Sequence, residues 1–188
     1  MAKGYWMAHV RVSDAGRYGA YVEGARAAFE AHGARFLARG GAFEELEGAL
    51  GRERHVLIEF ESLEAARACW ASDAYQAARA HRLPVSEATI VVAGGVEPPA
   101  DPPGGTPGYW IGHVAVTDPA AYARYREANA APFARHGARF LVRGGASEEL
   151  EGALGWERHV VLAFPDRAAA LGRCAARGGA AARAERAG

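Results

Sequence analysis

The sequence predicts an α+β protein in which one βαββαβ unit is written twice, the second copy without its last strand. Three observations predict this. An offset of 104 aligns the two halves: Gly4, Tyr5, Trp6 and His9 meet Gly108, Tyr109, Trp110 and His113, and His32 to Leu37 meet His136 to Leu141 without a change. From Gly4 to Phe60, about 35 of 57 aligned positions are identical, far more than shared composition produces. Between the copies, residues 98–107 carry Pro98, Pro99, Pro102, Pro103 and Pro107, the composition of an extended spacer. The domains read as 1–97, a proline-rich linker at 98–107, and 108–188. Inside each copy, stretches of period two alternate with stretches of helical period.

The elements follow in order. Tyr5 to Val12 alternates, setting Trp6, Ala8, Val10 and Val12 against Tyr5, Met7, His9 and Arg11. After Asp14, Tyr18, Tyr21, Val22, Ala25 and Phe29 recur at helical spacing, and in the second copy Asp118 precedes Pro119 as an N-cap precedes a first-turn proline. Gly33 and Gly137 stop these helices. Ala34 to Arg39 and Arg54 to Phe60 read as strands around an irregular, glycine-rich arm. Ser62 caps a helix expected to run as one piece through Tyr75 to His81, and Pro84 ends it before the strand Ala88 to Ala93. The second copy stops at the position equivalent to Pro84, so its fourth strand is missing. Trp70, Ser72, Asp73 and Tyr75 become Cys174, Ala176, Arg177 and Gly179, which predicts a short or broken helix near Gly178 and Gly179.

Two helices cover one face of a four-stranded sheet. The other face carries Met7, Leu37, Leu57 and Val91 beside His9, Arg11, His55 and Glu59, too apolar for open water and too polar for a dry core. The expectation is that the helix-free faces of the two copies pack together as an intramolecular pseudo-dimer around a partly wet cavity. The strand Tyr109 to Thr117 is then left with an open edge, where a second chain is expected to form a homodimer.

Charge and composition exclude several classes. Lys plus Arg and Asp plus Glu both number 22, so no basic field exists for nucleic acid or an anionic bilayer. No apolar run approaches a membrane span, the first residues lack a signal-peptide pattern, and Cys69 and Cys174 have neither metal nor redox spacing. A cytoplasmic protein with reduced thiols is expected.

The series Gly4-Tyr5-Trp6 with His9, Gly33-Ala34-Arg35-Phe36-Leu37, Arg39-Gly40-Gly41 and Ser72-Asp73-Ala74-Tyr75-Gln76 resembles the DUF1330 family over nearly all of both copies. The resemblance implies a ferredoxin-like βαββαβ unit of the dimeric α/β-barrel superfamily. Relatives in that superfamily include small cofactor-independent monooxygenases, isomerases and dechlorinating enzymes; the DUF1330 family itself has no established general activity. Here two such units share one chain, in place of the usual homodimer.

Strand parity aims His9 and His55, and their counterparts His113 and His159, at the helix-free face. Histidine is the side chain most readily poised near neutral pH, so these are the first candidates for acid/base or ligand contacts, although a histidine there often only hydrogen-bonds a neighbour. Arg35, Arg39, Arg139 and Arg143, placed on one parity, are candidates to orient an anion, with solvated edge charges as the plainer reading. Arg11 and Glu59 become Ala115 and Ala163 together, which reads as a salt bridge dropped as a unit, or as a general base, Glu59, beside His9 or His55. Tyr75 joins the ligand-binding candidates through the intact helix of the first copy. His32 and His136 read as helix caps, and Glu44, Glu45 and Glu47 as a solvated hairpin arm.

No dinucleotide fingerprint, phosphate loop, calcium loop or metal set is legible, and no cofactor is expected. Two functions fit. One is a cofactor-independent acid/base enzyme, monooxygenase- or isomerase-like, acting on a small molecule between the sheets. The other is a non-catalytic small-ligand-binding or assembly module.

Overall fold

A computed structural model describes residues 1–48 and 50–175 of the chain. It forms two compact units: Met1–Glu97 with Gly145–Leu154, and Pro98–Gly144 with the described part of Gly155–Gly188. The expected break near Gly178 and Gly179 lies outside the described residues.

The first unit runs β1 (Gly4–Val12), α1 (Ala15–Ala31), β2 (Arg35–Arg39), β3 (Arg54–Phe60), α2 (Leu63–Ala71), α3 (Asp73–Arg82), a 3₁₀ turn at Leu83–Val85, and β4 (Ser86–Gly94). Asp14 caps α1 by accepting from the amide of Arg17 at 3.0 Å. Ser62 caps α2 by accepting from the amide of Ala65 at 3.1 Å. The single helix expected after Ser62 is two helices. Ser72 adopts extended backbone, donates its hydroxyl to the Cys69 carbonyl at 2.7 Å and accepts from the Tyr75 amide, closing α2 and opening α3 with one side chain.

The repeated Gly-Tyr-Trp opening has a packing cause. A Cβ on Gly4 would collide with the backbone of Ser62 and Leu63, so only glycine lets β1 start against the entry to α2. Trp6 then donates its indole N–H to the Ala66 carbonyl at 3.1 Å, and its ring packs against Phe29, Phe60, Trp70 and Tyr75. Trp6, Ala8, Val10, Val56, Ile58, Phe60, Ile90 and Val92 form the core on the helix side, and Tyr5, Met7, Leu57, Val91 and Ala93 are buried on the helix-free side.

The first sheet has the order β2-β3-β1-β4 expected of the repeat, with one strand added. That strand is β7 (Ser147–Glu151), which belongs in sequence to the second repeat yet pairs antiparallel with β4. This strand is the second-repeat counterpart of the Glu44, Glu45 and Glu47 arm read as solvated, and it covers the edge of β4.

The second unit contains β5 (Gly108–Val114), α4 (Pro119–Arg135), β6 (Arg139–Arg143), β8 (Arg158–Phe164) and α5 (Arg167–Ala175). Asp118 caps α4 by accepting from Ala120 and Ala121. Trp110 donates to the Ala170 carbonyl at 3.1 Å, repeating the Trp6 anchor. Among the described residues its sheet has three strands, β5-β8-β6, with no counterpart of β4. No helix among the described residues is long and apolar enough to cross a membrane.

Candidate functional site

β1 and β3 are adjacent and antiparallel, and their register sets His9 directly opposite His55. Both side chains point to the helix-free face, since Ala8, Val10 and Val56 take the helix side. The Nδ1 atoms of His9 and His55 lie 2.7 Å apart, and in the second unit those of His113 and His159 also lie 2.7 Å apart. A contact between two Nδ1 atoms at that distance requires one to donate and the other to accept. In a neutral pair the donor ring then carries a bare Nε2 and the acceptor ring an Nε2–H. In the neutral state each pair therefore holds one Nε2 without a proton and one with a proton, coupled through the proton shared between the Nδ1 atoms.

His9 and His159 are buried, whereas His55 and His113 are partly exposed. Burial lowers the pKa of His55 below its ordinary value, against the opposing pull of Glu45, a backbone contact at Arg52, and Glu53. Its Nε2 is buried and has no hydrogen-bond partner among the described residues. Phe43 stands edge-on to His55 with centroids 4.5 Å apart, while Trp156 stacks on His113 at 5.5 Å. Neither aromatic was foreseeable from the repeat: the aligned positions hold Ser147 and Arg52, so the two histidine pairs take their aromatic neighbours from non-equivalent places.

Arg11 and Glu59 do not pair. Arg11 bonds Glu87 of β4 at 2.6 Å, at an exposed end of the sheet. Glu59, opposite Tyr5, accepts a two-pronged contact from Arg35 (Nε 3.1 Å, Nη2 2.9 and 3.0 Å) and the Tyr5 hydroxyl at 3.3 Å, with Lys3 Nζ at 3.5 Å. The two alanines of the second copy thus stand in separate surroundings. Ala115 stands on a strand that has no counterpart of β4 beside it among the described residues, and opposite Ala163 Arg139 donates instead to the Asp101 carbonyl at 3.3 Å. Glu59 shares a face with His55 but stands four strand residues away, about 13 Å, so no direct proton transfer joins them.

Arg35 and Arg39 do not share a face. A bulge between Phe36 and Ala38 inserts one residue, so Arg35 pairs opposite Glu59 while Arg39 pairs opposite Val56 and lies over the Phe36 ring at 4.6 Å. The same bulge separates Arg139 from Arg143, which lies over Phe140 at 4.4 Å. Tyr75 is fully buried on the helix side, in contact with Trp6, Phe29 and Trp70, and its hydroxyl meets that of Tyr21 at 3.4 Å. The residues brought together are therefore the histidine pairs, with Arg11 two strand residues beyond His9. Arg35 and Glu59 sit further along the same face, and Arg39, Arg143 and Tyr75 lie on the other side. Beside Tyr75 is a cavity of about 40 Å³ lined by Trp6, Tyr21 and Arg82, room for a few waters at most.

Among the described residues no cluster of three or more His, Cys, Asp or Glu is placed to hold a metal. No curated protein matches the sequence. Several solved structures are similar to it, three of them as follows. One, provisionally assigned as a chlorite dismutase, is 14% identical with a TM-score of 0.51, covering 98% of this chain and 88% of that one. A protein of unknown function from Rhodopseudomonas palustris is 18% identical with a TM-score of 0.44, covering 52% of this chain and 85% of that one. A protein provisionally assigned as a monooxygenase from Lactobacillus acidophilus is 10% identical with a TM-score of 0.46, covering 100% of this chain and 89% of that one. At such identities the first likeness speaks for the fold alone, the ferredoxin-like α/β fold. A family model described as a domain of unknown function, DUF1330, matches residues 3–96 and again 107–188, and the chain belongs to that family.

Proposed function

We propose that this chain is a cytoplasmic protein that binds a small molecule at the helix-free face of its sheets and acts on it by acid/base chemistry without a cofactor, in the manner of a monooxygenase or isomerase. The observation that carries this reading is the 2.7 Å contact between Nδ1 atoms in each histidine pair. An unprotonated Nε2 in one ring and an Nε2–H in the other suit removal of a proton from one substrate atom and its delivery to another. Among the described residues the Nε2 of His55 has no hydrogen-bond partner, which favours the first pair as the working one. Lowered basicity at His55 keeps that ring neutral near pH 7, the state a general base requires. Arg11, about 7 Å along the strand from His9, is the cation closest by register for a developing enolate. Ala115 replaces it in the second unit, where His113 and His159 remain to bind. Arg35, held by Glu59, sets the charge further along the same face.

A second reading, a non-catalytic ligand-binding or assembly module, is favoured by the complete burial of Met7, Leu57 and Val91 on the face that carries His9 and His55. Native mass spectrometry of the full chain purified from cells separates the two. A discrete bound compound, lost in His9→Ala and His55→Ala variants that keep their circular dichroism, supports the site. Purification without any compound, from hosts grown on varied carbon sources, supports the assembly reading. The outer position of β5 in its sheet among the described residues supports a homodimer paired along that strand. Light scattering at micromolar concentration tests it: a monomer removes that dimer from the proposal.

A further inference from the structure

The two histidine pairs are alike in sequence and geometry, but one residue beside them is not. Where the first unit has Arg52, the aligned position of the second holds Trp156. Trp156 stacks on His113 with centroids 5.5 Å apart and 16° between the ring planes, so a neutral, flat surface borders that pair. In the first unit the Arg52 backbone contacts His55, and its guanidinium Nη1 reaches Glu87 Oε2 at 3.4 Å. Arg11 Nη2 holds the same oxygen at 2.6 Å, so two guanidinium groups meet on one carboxylate oxygen beside His9 and His55. The second unit has neither cation, since Ala115 stands where Arg11 does.

Arg52 is poorly compensated. Its side chain is 20% exposed while that of Glu87 is 61% exposed, and the oxygen they share is closer to Arg11. Besides Glu87, its Nη1 meets only the Gly51 carbonyl, at 3.4 Å, and among the described residues its Nε is buried without a hydrogen-bond partner. A guanidinium largely removed from water with so distant a counter-charge is costly to hold. Glu45 and Glu53 also act on His55, but both residues are exposed, and Glu45 accepts from the Leu50 amide at 2.9 Å. Water and salt screen such surface carboxylates more than they screen Arg52. A carboxylate arriving side-on would take Nε and one Nη together, the two-pronged contact that guanidinium geometry favours, after a small rotation of the partly exposed side chain.

We propose that Arg52 selects the ligand of the first histidine pair: a small carboxylate, its anion on Arg52 and Arg11 and its remaining atoms over His9 and His55. The second pair, bordered by Trp156, takes an uncharged planar molecule instead. This selection presupposes the ligand-binding reading given above and adds the charge that each pair accepts.

The test titrates the full chain with benzoate and, at equal ionic strength, with benzamide, its uncharged near-isostere, while proton–nitrogen spectra follow the ring signals of the four histidines. At His9 and His55 benzoate is expected to bind at least about tenfold tighter than benzamide, as one charge-assisted, two-pronged contact implies. Arg52→Met should remove that preference, and Arg52→Lys should keep part of it. At His113 and His159 the two compounds should bind within about twofold of each other, because stacking on Trp156 is indifferent to the charge. Trp156→Arg should give that pair a preference for benzoate. Equal binding of the two compounds at His9 and His55, or a benzoate preference that survives Arg52→Met in protein with native circular dichroism, would overturn the role of Arg52 and leave the histidine site standing. Failure of both compounds to move any histidine signal at millimolar concentration would overturn it together with the ligand-binding reading. Should Arg52→Met fail to fold, Trp156→Arg decides: no gain of benzoate preference at His113 and His159 overturns the proposal.

Discussion

Replacing Glu151 by glutamine isolates the contact that ties β7 to the first sheet. The carboxylate accepts three short bonds from two guanidinium groups, one of them on Arg82, whose side chain is 1% exposed. Burial acts to raise the Glu151 pKa, and Arg82 and Arg79 outweigh it, leaving the group below the usual carboxylate range. Glutamine keeps one carbonyl acceptor, turns an N–H₂ toward the remaining donors, and leaves the Arg82 charge without its counter-ion. Two lost charge-assisted bonds at about 1.5 kcal/mol each, the low end because Arg79 is 24% exposed, give about 3 kcal/mol. That is roughly two decades in the opening equilibrium of β7, so amide exchange over Glu148 to Glu151 should quicken about 100-fold. Glu148→Gln removes an ion pair between side chains 43% and 52% exposed and should change exchange by a few tenths of a kcal/mol. Equal protection in the two variants would refute the buried-clamp reasoning. The depressed pKa also sets a sign with pH. The Glu151 contribution is complete above the ordinary carboxylate value and is lost as pH falls through the lower folded value, and Glu151→Gln should abolish that acid sensitivity.

Other outcomes follow from the same contacts. The lowered pKa of His55 means the folded state binds its proton less readily than the unfolded chain. Stability from this group is therefore full above about pH 6.5 and declines as pH falls below it, and His55→Phe should flatten that decline in urea midpoints taken across pH 7.5 to 5. Gly4→Ala places a methyl into the Ser62 and Leu63 backbone and should cost about 3 kcal/mol, whereas Gly19→Ala, inside α1 with nothing within 4 Å, should stabilise by about 0.5–1 kcal/mol; chemical denaturation measures both. Burial pushes the Cys69 thiol up to about 12, so in a Cys174→Ser background a disulfide reagent should label it only after denaturant is added.

The repeat, the strand parity and the capping residues were legible because each follows from a short-range rule. Alternation along Tyr5 to Val12 sufficed to place His9 with His55, and Asp14, Ser62 and Asp118 cap as their types imply. Misreadings arose where one residue changed a count or a distant segment intervened. The bulge at Leu37 reverses the parity of Arg39 relative to Arg35; adjacent Phe36 and Leu37, of which only one can face the helices, are the one sign of it in the sequence. Ser72, a residue type that suits caps, lay inside a continuous helical pattern, and only its extended backbone splits α2 from α3. The joint loss of Arg11 and Glu59 reads as one event in the sequence, whereas the two residues have separate partners, Glu87 and Arg35. Least legible was β7: its acidic sequence reads as solvated until Arg67, Arg79 and Arg82, about 70 to 80 residues away, are brought beside it.

The proposal for function rests on each histidine pair acting as one coupled donor and acceptor. Long-range proton–nitrogen spectra of the histidine rings in the full chain at neutral pH test this most directly. Within each pair one ring should carry its proton on Nδ1 and the other on Nε2, and the two rings should respond together as pH is lowered. Rings of one pair found in the same tautomer, or titrating without regard to each other, would contradict it.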